Sequence, residues 1–228
     1  MKVKRAILTT PPGHTRRILL AALGVAAADV LRPRTAIATD AGAAQSGGRE
    51  PIVLIVGDSL SAGYGLARAE GWVSLLEART TPLGWRIVNA SISGETTAGG
   101  LSRLPGLLER HRPAVTVIEL GANDALRGLS IPATEVNLRR MITLAREAGS
   151  KPLLVGMMMP PNFGRAFSEQ FAGMYRRLAK EEDIALVPFL LEGFGDDLAW
   201  FQPDRIHPAA KAQPRMLDNV WPVLKELL

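Results

Sequence analysis

Ser59 stands two residues after a glycine in Gly57-Asp58-Ser59-Leu60, and near the other end of the chain Asp204-Arg205-Ile206-His207 sets a carboxylate three residues before an imidazole. A serine hydroxyl is a poor nucleophile at neutral pH, so it needs a base within hydrogen-bond reach and a third group that fixes the tautomer of that base. All three residue types are present, and together they point to serine-dependent acyl transfer. The histidines are His14, His111 and His207, and His14 lies in a segment that reads as a removable leader. A histidine base is therefore His207 or His111. Asp204 can accept from Nδ1 of His207 while Nε2 faces a serine elsewhere, and Pro203 and Pro208 stiffen the segment between them. His111, in Glu109-Arg110-His111-Arg112-Pro113, reads as solvated surface. Each motif also has a plain reading: Gly-Asp-Ser as a turn with a helix cap, Asp-x-x-His as a surface turn. The elbow pattern Gly-x-Ser-x-Gly is absent, because Ser61 occupies the place of its second glycine.

For these groups to meet, the chain between them must be folded back. Ile52-Val53-Leu54-Ile55-Val56 is a continuous apolar run between Pro51 and Gly57, the pattern of a strand covered on both faces by helices. Further strand candidates are Arg86–Asn89, Ala114–Leu120, Pro152–Met157 and Ile184–Pro188. Stretches of helical length separate them. One starts at Trp72-Val73, and another carries Leu101, Leu104, Leu107 and Leu108 despite Pro105. A third runs from Thr134 to a stop at Gly149, a fourth carries Phe167, Phe171, Met174-Tyr175 and Leu178, and Ala209–Leu228 closes the domain. Alternating strands and helices predict an α/β fold with right-handed crossovers, in which the loops after the strands gather at the carboxyl edge of the sheet. Ser59, Gly94, Asn123 and Met159-Pro160 all follow candidate strands.

The net charge of +5 is misleading as a guide to partners. Lys2, Lys4, Arg5, Arg16 and Arg17 precede the apolar run Ile18–Ala28, and Ala36-Ile37-Ala38 offers a cleavage site, so residues 1–38 read as a signal peptide. The Arg16-Arg17 pair raises twin-arginine export, and cleavage near Ala43 or Ala44 is an alternative. Removing residues 1–38 leaves 20 basic and 21 acidic residues, a net charge of −1. No basic stripe with interleaved aromatics remains, so nucleic acid is not an expected partner. Residues 39–50 are small and flexible, a tether, and 51–228 suit one domain. The apolar run is short for a membrane span, so no stable insertion is expected after cleavage. The chain has no cysteine, which leaves neither disulfides nor thiolate ligands, and a zinc site has no second plausible imidazole. Gly57–Ala62 lacks the glycine spacing of a dinucleotide site. Neither metal nor cofactor is expected.

Four blocks occur in order, each at a predicted strand end: Val56–Tyr64, Asn89–Thr96, Glu119-Leu120-Gly121-Ala122-Asn123-Asp124, and Asp204–Pro208. In them the chain resembles the GDSL, or SGNH, hydrolases, most closely the exported group of multifunctional acyl-CoA thioesterases, arylesterases and lysophospholipases. The resemblance runs from Ile52 to the C-terminal helix. It implies a three-layer α/β/α, flavodoxin-like fold with a five-stranded parallel sheet. It further implies Ser59 as nucleophile, His207 as base and Asp204 as its partner, with an oxyanion hole made by the N–H groups of Ser59 and Gly94 and the side-chain amide of Asn123. Asp58 is expected to tie down the nucleophile turn through backbone hydrogen bonds. Two departures stand out: Ala122 where relatives often carry glycine, and a Pro203-Asp204-Arg205 segment more rigid and basic than usual.

The expected reaction is hydrolysis of a small-molecule ester or thioester by a monomer, in the periplasm or outside the cell. Leu126, in Ala125–Leu129, and Met159 and Pro160, in Met157–Phe163, are the expected acyl-binding residues, whereas Met157 and Met158 fit core packing as well. The alternatives are a carbohydrate O-acetyl esterase and a non-catalytic lipid- or carbohydrate-binding module.

Overall fold

Strand β1, Ile52–Gly57, is buried along its whole length, as its unbroken apolar run requires. The computed structural model describes residues 50–228, so the leader 1–38 and all of the 39–50 tether except Glu50 lie outside the described residues. The other strands are β2 (Arg86–Asn89), β3 (Val115–Glu119), β4 (Lys151–Val155) and β5 (Ala185–Val187). They form one parallel sheet in the order β2-β1-β3-β4-β5. This is the flavodoxin-like order expected from the resemblance, and its switch point lies between β1 and β3.

The helices are α1 (Ser59–Ala62), α2 (Trp72–Thr80), α3 (Thr97–His111), α4 (Ala122–Leu126), α5 (Ile131–Glu147), α6 (Arg165–Glu181) and α7 (Gln213–Leu224). On one face of the sheet α2 packs against α7; on the other α5 lies between α3 and α6. Their apolar stripes fill the space to the sheet: Trp72 and Leu76 from α2, Leu104 and Leu108 from α3, Met141 and Ile142 from α5, Phe171 and Tyr175 from α6. Burying one such side chain contributes about 1.5–3 kcal/mol, so the helices are held chiefly by these stripes rather than by intrinsic propensity. Pro105 is tolerated inside α3 because it sits on the exposed side, while Leu104 and Leu108 face inward.

Two strands are shorter than their apolar runs. β4 stops at Val155 because the ladder slips just beyond it: the Gly156 N–H still donates to Val187 O, but Gly156 O accepts from Leu190, one residue past the register, and a Cβ at 156 would lie 2.4 Å from the Pro188 carbonyl oxygen. β5 loses both expected ends: the Ile184 N–H is taken by Ala179 O at the end of α6, and Pro188 has no N–H to give. His111 ends α3, at the amino-terminal edge of the sheet and away from the loops that follow the strands.

Candidate active site

The nucleophile turn is built on the end of β1. Asp58 caps α1 by accepting the Leu60 N–H on Oδ1 at 3.0 Å, and Ser59 is the first residue of that short helix. Gly57 has a local reason to lack a side chain, since a Cβ there would lie 2.8 Å from both Glu119 Oε2 and Ser61 Cβ. Gly63 closes the turn in the left-handed region, φ 73°.

The second group arrives from 148 residues away. After a 3₁₀ turn at Leu198–Trp200 the chain makes a loop closed by an antiparallel bridge between Phe201 and Pro208. The Gln202 N–H donates to His207 O and the Ala209 N–H to Trp200 O, each at 2.8 Å. Inside the loop Asp204 Oδ1 accepts the N–H groups of Ile206 and His207 at 3.0 Å, and Oδ2 lies 2.7 Å from His207 Nδ1. His207 Nε2 lies 2.9 Å from Ser59 Oγ. The structure therefore brings Ser59, His207 and Asp204 into one hydrogen-bonded chain. Tyr64 covers the imidazole, its ring centroid 4.4 Å away, and Gln202 Nε2 fastens the Tyr64 carbonyl to the same loop.

Two further loops bring polar groups to the same edge. Asn89 at the end of β2 donates to Ser61 O, and the Ile92 N–H donates to Gly57 O, so the chain leading to Gly94 is pinned to the nucleophile turn. Gly94 has φ 77°, a conformation that explains the glycine directly, and its carbonyl accepts from Arg127 Nη2 at 2.8 Å. After β3, Gly121 turns at φ 121°, where a Cβ would lie 2.3 Å from the Tyr175 hydroxyl. That hydroxyl donates to Leu120 O. Asn123 follows, and its Nδ2 donates to Asp58 Oδ2 at 3.0 Å. One proton of that amide remains for another acceptor. Asp58 thus does more than the backbone capping expected of it: one oxygen caps α1 and the other holds Asn123.

The acids of the site differ in charge state. For Asp204, partial burial favours the neutral form, but the N–H groups of His207 and Ile206 and the imidazole outweigh it and bring the pKa down to about 2. Asp58 is pushed up to about 6 by burial, against the Leu60 N–H and the nearby His207. Glu119, wholly buried at the end of β3, is pushed well above the usual carboxylate range by burial and by Asp58. Among the described residues no group of three or more His, Cys, Asp or Glu side chains is arranged to hold a metal ion.

The expected acyl-binding residues fare unevenly. Leu126 is 46% exposed, and Pro160 is exposed. Met159 is buried in the core, whereas Met158, expected to suit core packing, is 39% exposed. Beyond the end of β4 at Val155 the segment alternates, with Met157 and Met159 turned to the core and Met158 and Pro160 outward, because only one side of it is covered. Glu119 had no role assigned from sequence, although an acid ending the apolar run Val115–Leu120 is a signal that it must be buried and partnered. Tyr64 and Arg127 carry no such signal; their importance is created by the fold.

The GDSL-like Lipase/Acylhydrolase family model matches residues 55–213. Esterase TesA of Pseudomonas aeruginosa is 52% identical over 178 residues, 77% of this chain and 89% of that protein. Thioesterase 1/protease 1/lysophospholipase L1 of Escherichia coli is 43% identical over 180 residues, 77% of this chain and 84% of that protein. Among solved structures, the crystal structure of TesA has 52% identity and a TM-score of 0.75, covering 78% of this chain and 99% of that one. The psychrotrophic esterase EstA from Pseudoalteromonas sp., inhibited by monoethylphosphonate, has 36% identity and a TM-score of 0.72, covering 77% and 97%. With its nucleophile turn, its Asp-x-x-His loop and this breadth of match, the chain belongs to the GDSL-like lipase/acylhydrolase family.

Proposed function

We propose that this protein is a serine esterase that hydrolyses carboxylic esters and acyl thioesters through an acyl-enzyme on Ser59. The observation that carries this reading is the chain from Ser59 Oγ to His207 Nε2 and from Nδ1 to Asp204. Ser59 Oγ attacks the carbonyl carbon while Nε2 takes its proton, and the carbonyl oxygen becomes an oxyanion. Asp204 stays ionised and holds Nδ1–H, which favours the imidazolium formed in this step. The Ser59 and Gly94 N–H groups and the Asn123 amide receive the oxyanion, each donor contributing about 3 kcal/mol in such sites. Collapse breaks the bond to the leaving oxygen or sulfur, which takes the proton from Nε2. Water then attacks the acyl-enzyme, returns a proton to Nε2, and the free acid leaves with Ser59 restored.

An acyl substrate is supported by the surface around these groups. Tyr64, Ile92, Leu126, Leu129, Met158 and Ile206 are all substantially exposed, and all lie in the short segments that follow strands or carry the base. Leu126 and Pro160 are taken to contact the acyl chain, and Met159 to back that surface from beneath. The names of the relatives, esterase, thioesterase, lysophospholipase and arylesterase, agree with this chemistry. The leader points to export, into the periplasm or beyond, followed by cleavage; N-terminal sequencing of the exported protein should start between residues 39 and 45.

The deciding experiment is a panel of p-nitrophenyl esters from acetate to palmitate, alongside acyl-CoAs and acetylated xylan. Hydrolysis of acyl esters is expected, with kcat lowered by at least about 10³-fold in Ser59→Ala. Activity on the polysaccharide alone would replace the acyl reading with a carbohydrate O-acetyl esterase. A Ser59→Ala protein at full rate would end the mechanism.

A further inference from the structure

Glu119 closes β3 directly beneath the nucleophile turn and is fully buried. Its Oε2 accepts the Ser61 hydroxyl at 2.7 Å and the Asp58 N–H at 3.4 Å, while its Oε1 has no hydrogen-bond partner. No cation among the described residues forms an ion pair with it; the charge acting on it is that of Asp58. A buried carboxylate left with an orphan oxygen costs several kcal/mol, and the neutral acid avoids most of that cost. Burial and the neighbouring Asp58 both favour the neutral form of Glu119.

The arrangement links two parts of the site that are 62 residues apart between Ser61 and Asn123. Ser61 on α1 is held by Glu119, Glu119 also receives the Asp58 N–H, and Asp58 Oδ2 receives Asn123 Nδ2 on α4. Packing alone does not explain an acid here, because a leucine or methionine would fill the same space without desolvating a carboxyl group. The backbone of the turn is shaped around that group as well, since any side chain at Gly57 would run into Glu119 Oε2.

We propose that Glu119 is a positioning residue for the oxyanion hole: by bracing Ser61 and the Asp58 N–H it fixes the carboxylate that aims the Asn123 amide at the reacting carbonyl. The proposal rests on the serine-esterase reading of the same site. It assigns Glu119 no contact with substrate. Its effect passes through Asp58 and Asn123, and so it must vanish once the amide is gone.

That dependence supplies the test. Glu119→Gln stays neutral and keeps an oxygen that accepts from Ser61, whereas Glu119→Leu keeps only volume. With p-nitrophenyl butyrate, and with folded fraction matched by thermal denaturation, Glu119→Gln should hold kcat within about threefold of wild type, and Glu119→Leu should lose about 10- to 100-fold with KM within about twofold. In an Asn123→Ala background the leucine substitution should cost no more than about twofold, because two residues acting through one group do not add. Equal losses in both backgrounds, or a folded Glu119→Leu protein at full kcat, overturns the inference. If Glu119→Leu does not fold, the same cycle run with Ser61→Ala decides on the same criterion. Wild-type protein inert toward every ester overturns the esterase reading and this inference with it; an active wild type with an additive cycle overturns this inference alone.

Discussion

Asp204 and Asp58 both neighbour the Ser59–His207 pair, and their surroundings move them in opposite directions. Asp204 has a folded pKa of about 2 against an ordinary 3.8, so the unfolded chain binds more protons between those values. Its contribution to stability is present above the unfolded value and is lost as pH falls toward 2. Asp58 is raised from 3.8 to about 6, so here the folded state holds the proton longer and stability declines as pH rises through that window. Two variants separate the effects in pH-dependent urea unfolding. The stability gap between wild type and Asp204→Asn should shrink as pH falls below about 4, whereas Asp58→Asn should gain on wild type between pH 4 and 6. A gap that stays constant with pH for either variant would contradict the corresponding charge assignment. Ser59, Asp204 and His207 were legible in the sequence because proximity along the chain already pairs the acid with the base, and the motif blocks give the serine its context. Glu119 is not legible in the same way, since its partners Ser61 and Asp58 reach it from the turn after a different strand.

At the level of helices and strands, Asp124 is the joint that seats the segment carrying Asn123. It is buried, and its carboxylate accepts the Thr97 N–H at 2.8 Å and the hydroxyls of Thr97 and Thr134. α4 is thereby tied to the first turns of α3 and α5. Asp124→Ala leaves the Thr97 hydroxyl and N–H without their acceptor, while the Thr134 hydroxyl keeps Ser130 O, and it should cost about 2–4 kcal/mol in urea unfolding together with a fall in kcat as Asn123 loses its seat. A variant with unchanged midpoint and rate would show that the joint is dispensable. The strands and helices themselves were readable from apolar periodicity, because burial on one or both faces is written into residue type. Their ends were not: β4 stops where Leu190 slips the register at Gly156 O, and β5 is bounded by Pro188, which has no N–H, and by the Ala179 carbonyl of α6, which takes the Ile184 N–H. The exchanged burial of Met158 and Met159 reflects a segment covered on one side only, on which Met157 and Met159 face the core. Arg205, at φ 60° beside Asp204, carries a left-handed backbone that glycine would adopt without strain. Arg205→Gly should therefore change stability by less than about 1 kcal/mol, the relief of strain offsetting the looser unfolded chain.

Taken across the domain, chemistry and cohesion are held at different places. The reactive groups collect at the carboxyl edge of the sheet, and an ion-pair network on the outer surface joins α5 to α6, where Arg139 reaches Glu135, Glu181 and Glu182. These charges are all in part open to water, so Arg139→Ala should cost about 1 kcal/mol or less, an effect that fades in high salt, with kcat unchanged. A larger, salt-insensitive loss would mean that the network is structural. The convergence of distant blocks was legible from topology, because parallel strands send every following loop to one edge. The +5 charge of the full chain carried no such message; it comes from residues 1–38, and the rest is near neutral.

The loop from Phe201 to Pro208 is latched at its own neck and stapled to Tyr64 by Gln202. It is therefore a self-contained unit, in which Asp204 and His207 are held in register by one short segment independently of where that segment docks on Ser59. Under the proposed mechanism, replacing exposed apolar side chains outside this loop would change which esters fit while leaving that register untouched.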